Sequence, residues 1–150
     1  MTDTAITSQH VRDKVNALES MMRDLPQVDM PVTNHFSKGV PGRGVYAREL
    51  FIPKGTVLTG KIHKYENLNV MLKGELSVLV GDKIVRVKAP FVIVSPPGTK
   101  RIAYAHEDTI WMTVHGTDET DMDKIENEFV AQSDVEYIEF SDSLRIKGDK

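Results

Sequence analysis

The chain has 150 residues with 40% hydrophobic and 27% charged side chains, which is the composition of one globular domain with a sizeable core. It contains no cysteine, so disulfides and thiolate metal sites are excluded. The first ten residues lack a basic start and an apolar run, and no apolar stretch approaches the roughly 20 residues of a membrane helix. We therefore expect a soluble, cytoplasmic protein without a secretion signal.

The formal net charge of −3 is spread unevenly along the chain. Residues 54–104 carry a net charge of +6, and residues 107–150 carry a net charge of −9. Three interpretations stay open: attraction between the two segments, within one chain or between subunits; attraction of an anionic ligand to the barrel; or an ordinary solvated surface. A nucleic-acid polymer is disfavoured, because the basic residues are not interleaved with aromatic ones and the acidic end would repel phosphates.

An amphipathic helix is predicted near the start of the chain. Apolar residues recur at steps of three and four between Ser8 and Leu25, with Ser8 as the N-cap and Pro26 as the stop. We expect the apolar stripe to pack on the rest of the protein or on a second subunit. Residues 26–44 contain three prolines and three glycines, and they predict a loop that lays a short extended piece along a sheet edge.

From Val45 onward, short runs rich in β-branched residues alternate with turn residues, a pattern typical of a sandwich or barrel. Eight strands are predicted: VYARELFI, TVLTGKI, NLNVMLK, ELSVLV, KIVRVK, FVIV, RIAYAH and TIWMTVH. The Gly81-Asp82 pair predicts a two-residue type II′ hairpin. Residues 1–43 are assigned to an N-terminal helix and loop, and residues 44–150 to a barrel with a C-terminal extension, within a single domain overall.

Two further elements are predicted after Gly116. The run TDETDMDKIENEFV places Met122, Ile125 and Phe129 on one face of a helix, with acidic residues in the first turn. The segment VEYIEF, at residues 135–140, alternates enough to predict one more strand.

Two segments carry a spacing that is informative about function. The first reads Gly55, five residues, Lys61-Ile62-His63, three residues, Asn67, six residues and Gly74, and the second is PPGTKR at residues 96–101. These segments resemble the two signatures of the cupin family, in which two histidines, a glutamate and a last histidine bind a metal. Of those four positions, Lys61, Asn67 and Arg101 occupy three, and only His63 is kept.

The resemblance covers roughly residues 44–115 and implies a mainly β fold. We expect a cupin-like double-stranded β-helix, or jelly-roll barrel, with an N-terminal amphipathic helix and a C-terminal helix. Period-two alternation places Lys61 and His63 on one strand face. The resemblance implies that Asn67 and Arg101 join them at the barrel mouth.

This side-chain set favours binding without catalysis. Arg101 offers a planar fork to a carboxylate or phosphate, Lys61 a point charge, and Asn67 a donor and an acceptor. Trp111 either stacks against a bound ring or fills the core. We expect a non-enzymatic barrel with no cofactor that binds a small anionic or polar molecule through Lys61, His63, Asn67, Arg101 and Trp111.

Three alternatives stay open. The first is a metal-dependent cupin enzyme, a dioxygenase or isomerase, that holds a divalent transition metal through His63 with Glu66. In the second, Lys61 or Arg101 pairs with Glu66, Glu75 or Glu49 and no pocket remains. The third is a virion or assembly component.

The third alternative has a resemblance of its own. TDETDMDKIENEFV is similar to small cupin-like proteins encoded by bacteriophages, which implies either a virion protein or one that sequesters a nucleotide-type signal in the host cytoplasm. We also expect a homo-oligomer, most simply a dimer. The sequence offers no cysteine nucleophile, no Gly-x-Ser-x-Gly elbow and no phosphate-binding glycine loop, which disfavours hydrolase and kinase functions.

Overall fold

The computed structural model describes residues 8–148, with side chains through residue 145. The helices are α1 (Gln9–Met22), α2 (Met122–Phe129) and α3 (Asp134–Gly148). The strands are β1 (Val32–Ser37), β2 (Val45–Ile52), β3 (Val57–Thr59), β4 (Ile62–His63), β5 (Asn67–Lys73), β6 (Glu75–Val80), β7 (Lys83–Lys88), β8 (Phe91–Ser95), β9 (Ile102–Ala105), β10 (Thr109–Gly116) and β11 (Val130–Ala131). Within this part of the chain, no helix has the length and apolar character needed to span a membrane.

The strands form two antiparallel sheets and a short ribbon. One sheet has the order β1-β2-β10-β5-β8, the other has the order β3-β9-β6-β7, and β4 pairs with β11. Apart from β1, β4 and β11, successive strands alternate between the two sheets except at the β6–β7 hairpin, and β2 lies beside β10. This is the strand order of a jelly roll, and the predicted fold class is confirmed.

The main core lies between the two sheets, because alternate side chains of each strand point inward. It contains Leu50, Ile52, Met71, Leu76, Val78, Val80, Ile93, Ala103 and Ala105. A second cluster of Tyr46, Ile125 and Phe129 lies where α2 packs at one end of the barrel. This end is the barrel mouth, and it holds most of the residues considered below.

The N-terminal helix begins where the sequence predicts. The Ser8 side chain accepts a hydrogen bond from the Val11 backbone N–H and caps α1. Val15 is buried, and Glu19 accepts a 2.6 Å hydrogen bond from Thr59 in β3. The apolar stripe of α1 therefore faces the barrel. The extended piece predicted after Pro26 is also present, since β1 pairs along the edge of β2.

Two predictions about local structure are wrong. TVLTGKI is not one strand. Its first part, β3, pairs with β9, the strand is interrupted at Gly60-Lys61, and the chain continues as β4, which pairs with β11. VEYIEF is not a strand but the first part of α3. The Ser133 side chain caps the start of that helix by accepting a hydrogen bond from the Glu136 N–H, and this contact stabilises the first helical turn.

The Gly81-Asp82 hairpin is confirmed. The strands β6 and β7 pair through to Val80 and Lys83, which leaves a two-residue loop. Gly81 has φ +60°, and Asp82 has no positive φ, as a type II′ turn requires.

Candidate functional site: the polar interior of the barrel

A polar network crosses the inner face of the five-stranded sheet, and Asn69 is its centre. The Asn69 amide donates to Asn67 Oδ1 and Ser95 Oγ, both at 2.8 Å. Its carbonyl oxygen accepts from Trp111 Nε1 at 3.1 Å and from Thr113 Oγ1 at 2.8 Å. All four hydrogen-bonding positions of this buried side chain are therefore used.

Arg101 joins this network from the other side of the barrel. Its guanidinium donates to Ser95 Oγ at 2.7 Å and to the Leu79 carbonyl at 2.6 Å. Burial lowers the pKa of Arg101 to about 10, so the group remains charged at neutral pH. Among the residues that the structure describes, no carboxylate lies within 4.0 Å of this guanidinium. We call Asn67, Asn69, Ser95, Arg101, Trp111 and Thr113 the interior network.

Two histidines stack beside the network at the barrel mouth. The rings of His63 and His115 have centroids 5.5 Å apart and nearly parallel planes, and His115 also stacks on Phe129 at 4.5 Å. Burial, with added repulsion from His115, Arg101 and Arg48, lowers the pKa of His63 to about 4. Burial also lowers the pKa of His115 to about 4. Both rings are neutral at physiological pH.

His63 also carries an unsatisfied polar atom. Within residues 8–148, its Nδ1 is buried without a hydrogen-bond partner. A buried polar atom of this kind costs about 1–3 kcal/mol unless a ligand or water satisfies it. A ligand or water bound at the mouth would therefore stabilise the protein by bonding to His63 Nδ1.

Arg48 is a mouth residue that the sequence reasoning missed. It lies opposite Thr113 in the β2–β10 pairing, and Thr113 points inward to Asn69. Its charge is close enough to lower the pKa of both His63 and Glu126. In the described part of the chain, Arg48 has no carboxylate within ion-pair distance. The alternation within VYARELFI could have predicted the position of Arg48, because Tyr46, Arg48 and Leu50 share the inward face of the strand.

Lys61 does not belong to this group, and that site prediction is wrong. Its ammonium pairs with Glu126 of α2, and its side chain is 59% exposed. The interruption of the strand at Gly60-Lys61 ends the alternation that would have turned the Lys61 side chain toward the interior. Lys61 instead lines a cleft of about 610 Å³ between α1 and β4.

The remaining predicted residues lie inside the barrel in different roles. Asn67 is buried, donates to the Tyr65 carbonyl at 3.2 Å and accepts from Asn69. Trp111 packs against the main core while its indole N–H bonds to Asn69. The structure therefore brings together His63, Asn67, Arg101 and Trp111 and leaves Lys61 outside.

The internal ion pairs proposed as an alternative for Arg101 and Lys61 do not form. Glu49 contacts His35 at 3.1 Å, and Glu75 pairs with Arg86 at 2.8 Å. Lys61 has an acidic partner, but it is Glu126 rather than one of the three expected residues. Arg101 is thus a partly buried cation that is hydrogen-bonded but has no neutralising carboxylate in the described structure.

These residues do not fit the metal that the cupin resemblance implies. Arg101 is a protonated donor, Asn67 is engaged with Asn69, and Lys61 points away toward Glu126. His63 is the one imidazole at the four signature positions, whereas a catalytic metal usually needs three protein ligands. Residues 8–148 contain no cluster of three His, Cys, Asp or Glu side chains arranged to hold a metal ion.

The chain was compared with known proteins. No protein-family description matches the sequence, and no curated protein matches it either. Among solved structures, similar folds include a cupin superfamily protein from Desulfitobacterium hafniense DCB-2, at TM-score 0.49 and 11% identity over 63% of this chain and 84% of that one.

Two other structural neighbours are single cupin domains. One is the Cupin_2 domain of an XRE family transcriptional regulator from Enterobacter cloacae, at TM-score 0.48 and 10% identity over 57% of this chain and 93% of that one. The other is the cupin domain of Schizosaccharomyces pombe Cnp3, at TM-score 0.48 and 16% identity over 71% of this chain and 75% of that one. The fold assignment itself rests on the strand order described above.

Proposed function

We propose that the barrel binds a small anion, a carboxylate or phosphate compound, at the mouth formed by Arg101, Arg48 and the two stacked histidines. The observation that carries the proposal is the uncompensated guanidinium of Arg101 inside the interior network. Two hydrogen bonds to neutral acceptors offset only part of the cost of removing this charge from water, and a bound anion would offset more of it. Arg48 supplies a second cation at the same mouth.

The geometry favours binding over chemistry. Asn69 uses all four of its hydrogen-bonding positions, and Ser95 Oγ accepts from both Asn69 and Arg101, so these side chains hold Arg101 in place rather than moving protons. The histidines are neutral at physiological pH, and the described residues offer no activated nucleophile beside them. A nucleotide-type signal, which the resemblance to phage proteins suggested, is one ligand with the required anionic group.

A thermal-shift screen tests this proposal. The probes are inorganic phosphate, nucleotides, sugar acids and dicarboxylates, since a ligand that binds only the folded form raises the melting temperature. For any probe that stabilises the protein, we expect Arg101→Met and Arg48→Met each to weaken the affinity by about tenfold or more, as measured by calorimetry, because each removes a charge-assisted hydrogen bond.

The matched control is Arg86→Met. Arg86 is an exposed arginine on β7 that pairs with Glu75, away from the mouth, so this variant should bind like the wild-type protein. Each melting shift is measured against the variant's own unliganded melting temperature, which separates binding from lost stability. The proposal fails if no anion shifts the melting point, or if Arg101→Met and Arg48→Met respond as the control does.

A further inference from the structure

A second cavity lies between α1 and the barrel, and we call it the α1 cleft. Its volume is about 610 Å³, within the range of roughly 300–1,000 Å³ that is usual for small-molecule sites. Its walls come from α1, the segment from β3 to β4, the loop before β9 and the start of α3. The mouth residues Arg48, His63, Arg101 and His115 do not line it, so it is a separate site.

The lining of the α1 cleft is almost entirely polar. Among the described residues that line it, Ile62 and Ala131 are the hydrophobic ones, and both are buried. The other lining positions carry charged, hydroxyl or amide side chains or, at Gly60, backbone alone. Such a surface favours a hydrophilic ligand over a hydrocarbon, because its polar groups would lose hydrogen bonds to water against an apolar molecule.

The cations of the α1 cleft already have acidic partners. Lys100 and Arg23 contact Glu19 at 3.3 and 3.5 Å, and Lys61 pairs with Glu126. The carboxylates of Glu19 and Glu126 are therefore neutralised within the protein.

Asp134 differs from those two carboxylates. Its Oδ2 accepts a 2.7 Å hydrogen bond from Asn16 Nδ2, whereas its Oδ1 is buried without a hydrogen-bond partner. Among the side chains that the structure describes, no Lys, Arg or His nitrogen lies within 4.0 Å of this carboxylate. An ammonium group in the cleft would supply both the missing donor and the missing charge.

We propose that the α1 cleft binds a small zwitterion of the amino-acid type, with its ammonium group on Asp134 Oδ1 and its carboxylate toward Lys61 and Arg23. The Lys61 and Arg23 side chains are 59% and 72% exposed, and each has one acidic partner. Both therefore keep N–H donors that a ligand carboxylate would accept. A purely cationic ligand, such as a polyamine, is disfavoured because three basic side chains line the same cleft.

Occupancy of the α1 cleft would also join α1 to α3. Asn16 and Arg23 belong to α1, whereas Asp134 begins α3. A ligand that contacts both helices holds them in their folded positions, so we expect the amide protons of α1 to exchange more slowly relative to those of β5 when the ligand is bound. This readout assigns the bound ligand to the cleft.

A thermal-shift screen with the standard free amino acids, followed by calorimetry, tests the proposal. We expect at least one amino acid to raise the melting temperature. Its N-acetyl derivative, which lacks the ammonium group, and its carboxamide, which lacks the carboxylate, should each bind about tenfold or more weakly.

The variant that tests the assigned carboxylate is Asp134→Asn. It keeps an oxygen that accepts from Asn16 but removes the charge, so the affinity for the amino acid should fall about tenfold or more. Asp142→Asn is the matched control, since Asp142 is a carboxylate farther along α3 that pairs with Arg145, and it should bind like the wild-type protein. Each variant is compared with its own unliganded melting temperature.

The experiment separates the α1 cleft from the mouth. Arg101→Met, which tests the mouth, should leave the affinity for the amino acid unchanged, so either site can fail without the other. The proposal is overturned if no free amino acid shifts the melting temperature, if the N-acetyl derivative binds as well as its parent, or if Asp134→Asn binds as the control does. Binding that is lost in Arg101→Met but kept in Asp134→Asn also overturns it, because the ligand would then lie at the mouth.

Discussion

Asn69 shows how one buried amide organises the barrel interior. It joins β10 to β8 by accepting from Trp111 and Thr113 and donating to Ser95 and Asn67. Ser95 in turn holds Arg101. The Asn69 amide therefore positions the Arg101 guanidinium indirectly, through Ser95.

Replacing Asn69 with leucine should destabilise the protein substantially. The change leaves the Trp111 indole N–H and the Thr113 hydroxyl without their acceptor, and each unsatisfied buried group costs about 1–3 kcal/mol. We expect a loss of about 3 kcal/mol in the free energy of unfolding, measured by urea titration. Asn127→Leu, on the exposed side of α2, should change it by less than about 0.5 kcal/mol. Equal effects of the two substitutions would contradict the role given to Asn69.

At the residue scale, some signature positions are fixed by the backbone conformation and others by the contacts of their side chains. Gly74 is retained because its φ is +99° and a Cβ there would lie 2.2 Å from Thr109 Oγ1. Lys61, Asn67 and Arg101 are instead held by side-chain contacts, to Glu126, Asn69 and Ser95 respectively. The spacing could therefore predict the fold and the location of Asn67 and Arg101. It could not predict Lys61, whose orientation depends on a partner 65 residues away.

The helix α1 is attached to the barrel by a buried charge. Lys100 is 7% exposed, and its ammonium contacts Asn16 Oδ1 at 2.6 Å and Glu19 at 3.3 Å. The Glu19 pKa is lowered: burial raises it, but hydrogen bonds from Thr59 and Lys100 outweigh that effect. Residues of α1 and of the loop before β9 thus satisfy each other where the helix meets the barrel.

Lys100→Met should loosen α1 from the barrel while leaving the barrel folded. The substitution removes a buried ammonium and leaves Glu19 and Asn16 without it, so the amide protons of α1 should exchange faster relative to those of β5. Arg23→Met is the control, because Arg23 also pairs with Glu19 but is 72% exposed on its side chain. Unchanged exchange in α1, or acceleration of the same size in the control, would count against this anchoring.

The sequence predicted well those elements whose bounds are set by local residues, without help from a distant pairing partner. The bounds of β2, β5, β6 and β7 match the predicted runs because a glycine or proline marks a turn close to at least one end of each. The helix α3 was missed because six residues are too few to distinguish the two periods. Its helical spacing appears only over the longer segment, where Tyr137, Phe140 and Leu144 recur. The break between β3 and β4 is a tertiary effect, since it coincides with a change of pairing partner.

The uneven charge of the whole chain is partly used in folding. Lys61 pairs with Glu126, and Lys64 lies 3.5 Å from Glu136, so the basic middle segment contacts the acidic C-terminal segment. These contacts place α2 and α3 beside the barrel mouth. The attraction within one chain, one of the three interpretations of the charge pattern, is therefore observed. Attraction of an anionic ligand is proposed above, and attraction between subunits stays an expectation from the sequence.

Acid should destabilise the whole molecule before its carboxylates titrate. His63 and His115 are neutral in the folded state with pKa values of about 4, against 6.5 for the ordinary group. The unfolded chain therefore binds more protons between these values, and stability falls as pH falls from about 6.5 toward about 4. The pKa difference of about 2.5 for one ring corresponds to roughly 3 kcal/mol.

Chemical denaturation at a series of pH values measures this loss. His115→Phe, which keeps a ring against Phe129, should flatten the dependence between pH 6.5 and about 5, above the range of the carboxylates. His10→Gln, at an exposed position of α1, should leave the slope unchanged. A wild-type stability that is flat across this interval would contradict the neutral, buried state of the two rings.

Trp111 is the one tryptophan of the chain, and its indole N–H is bonded to the amide at the centre of the interior network. Its intrinsic fluorescence therefore reports from inside the barrel with no competing indole. A ligand that breaks the Trp111–Asn69 hydrogen bond or changes the local polarity would alter the emission wavelength of Trp111. Binding could then be titrated by fluorescence without a label.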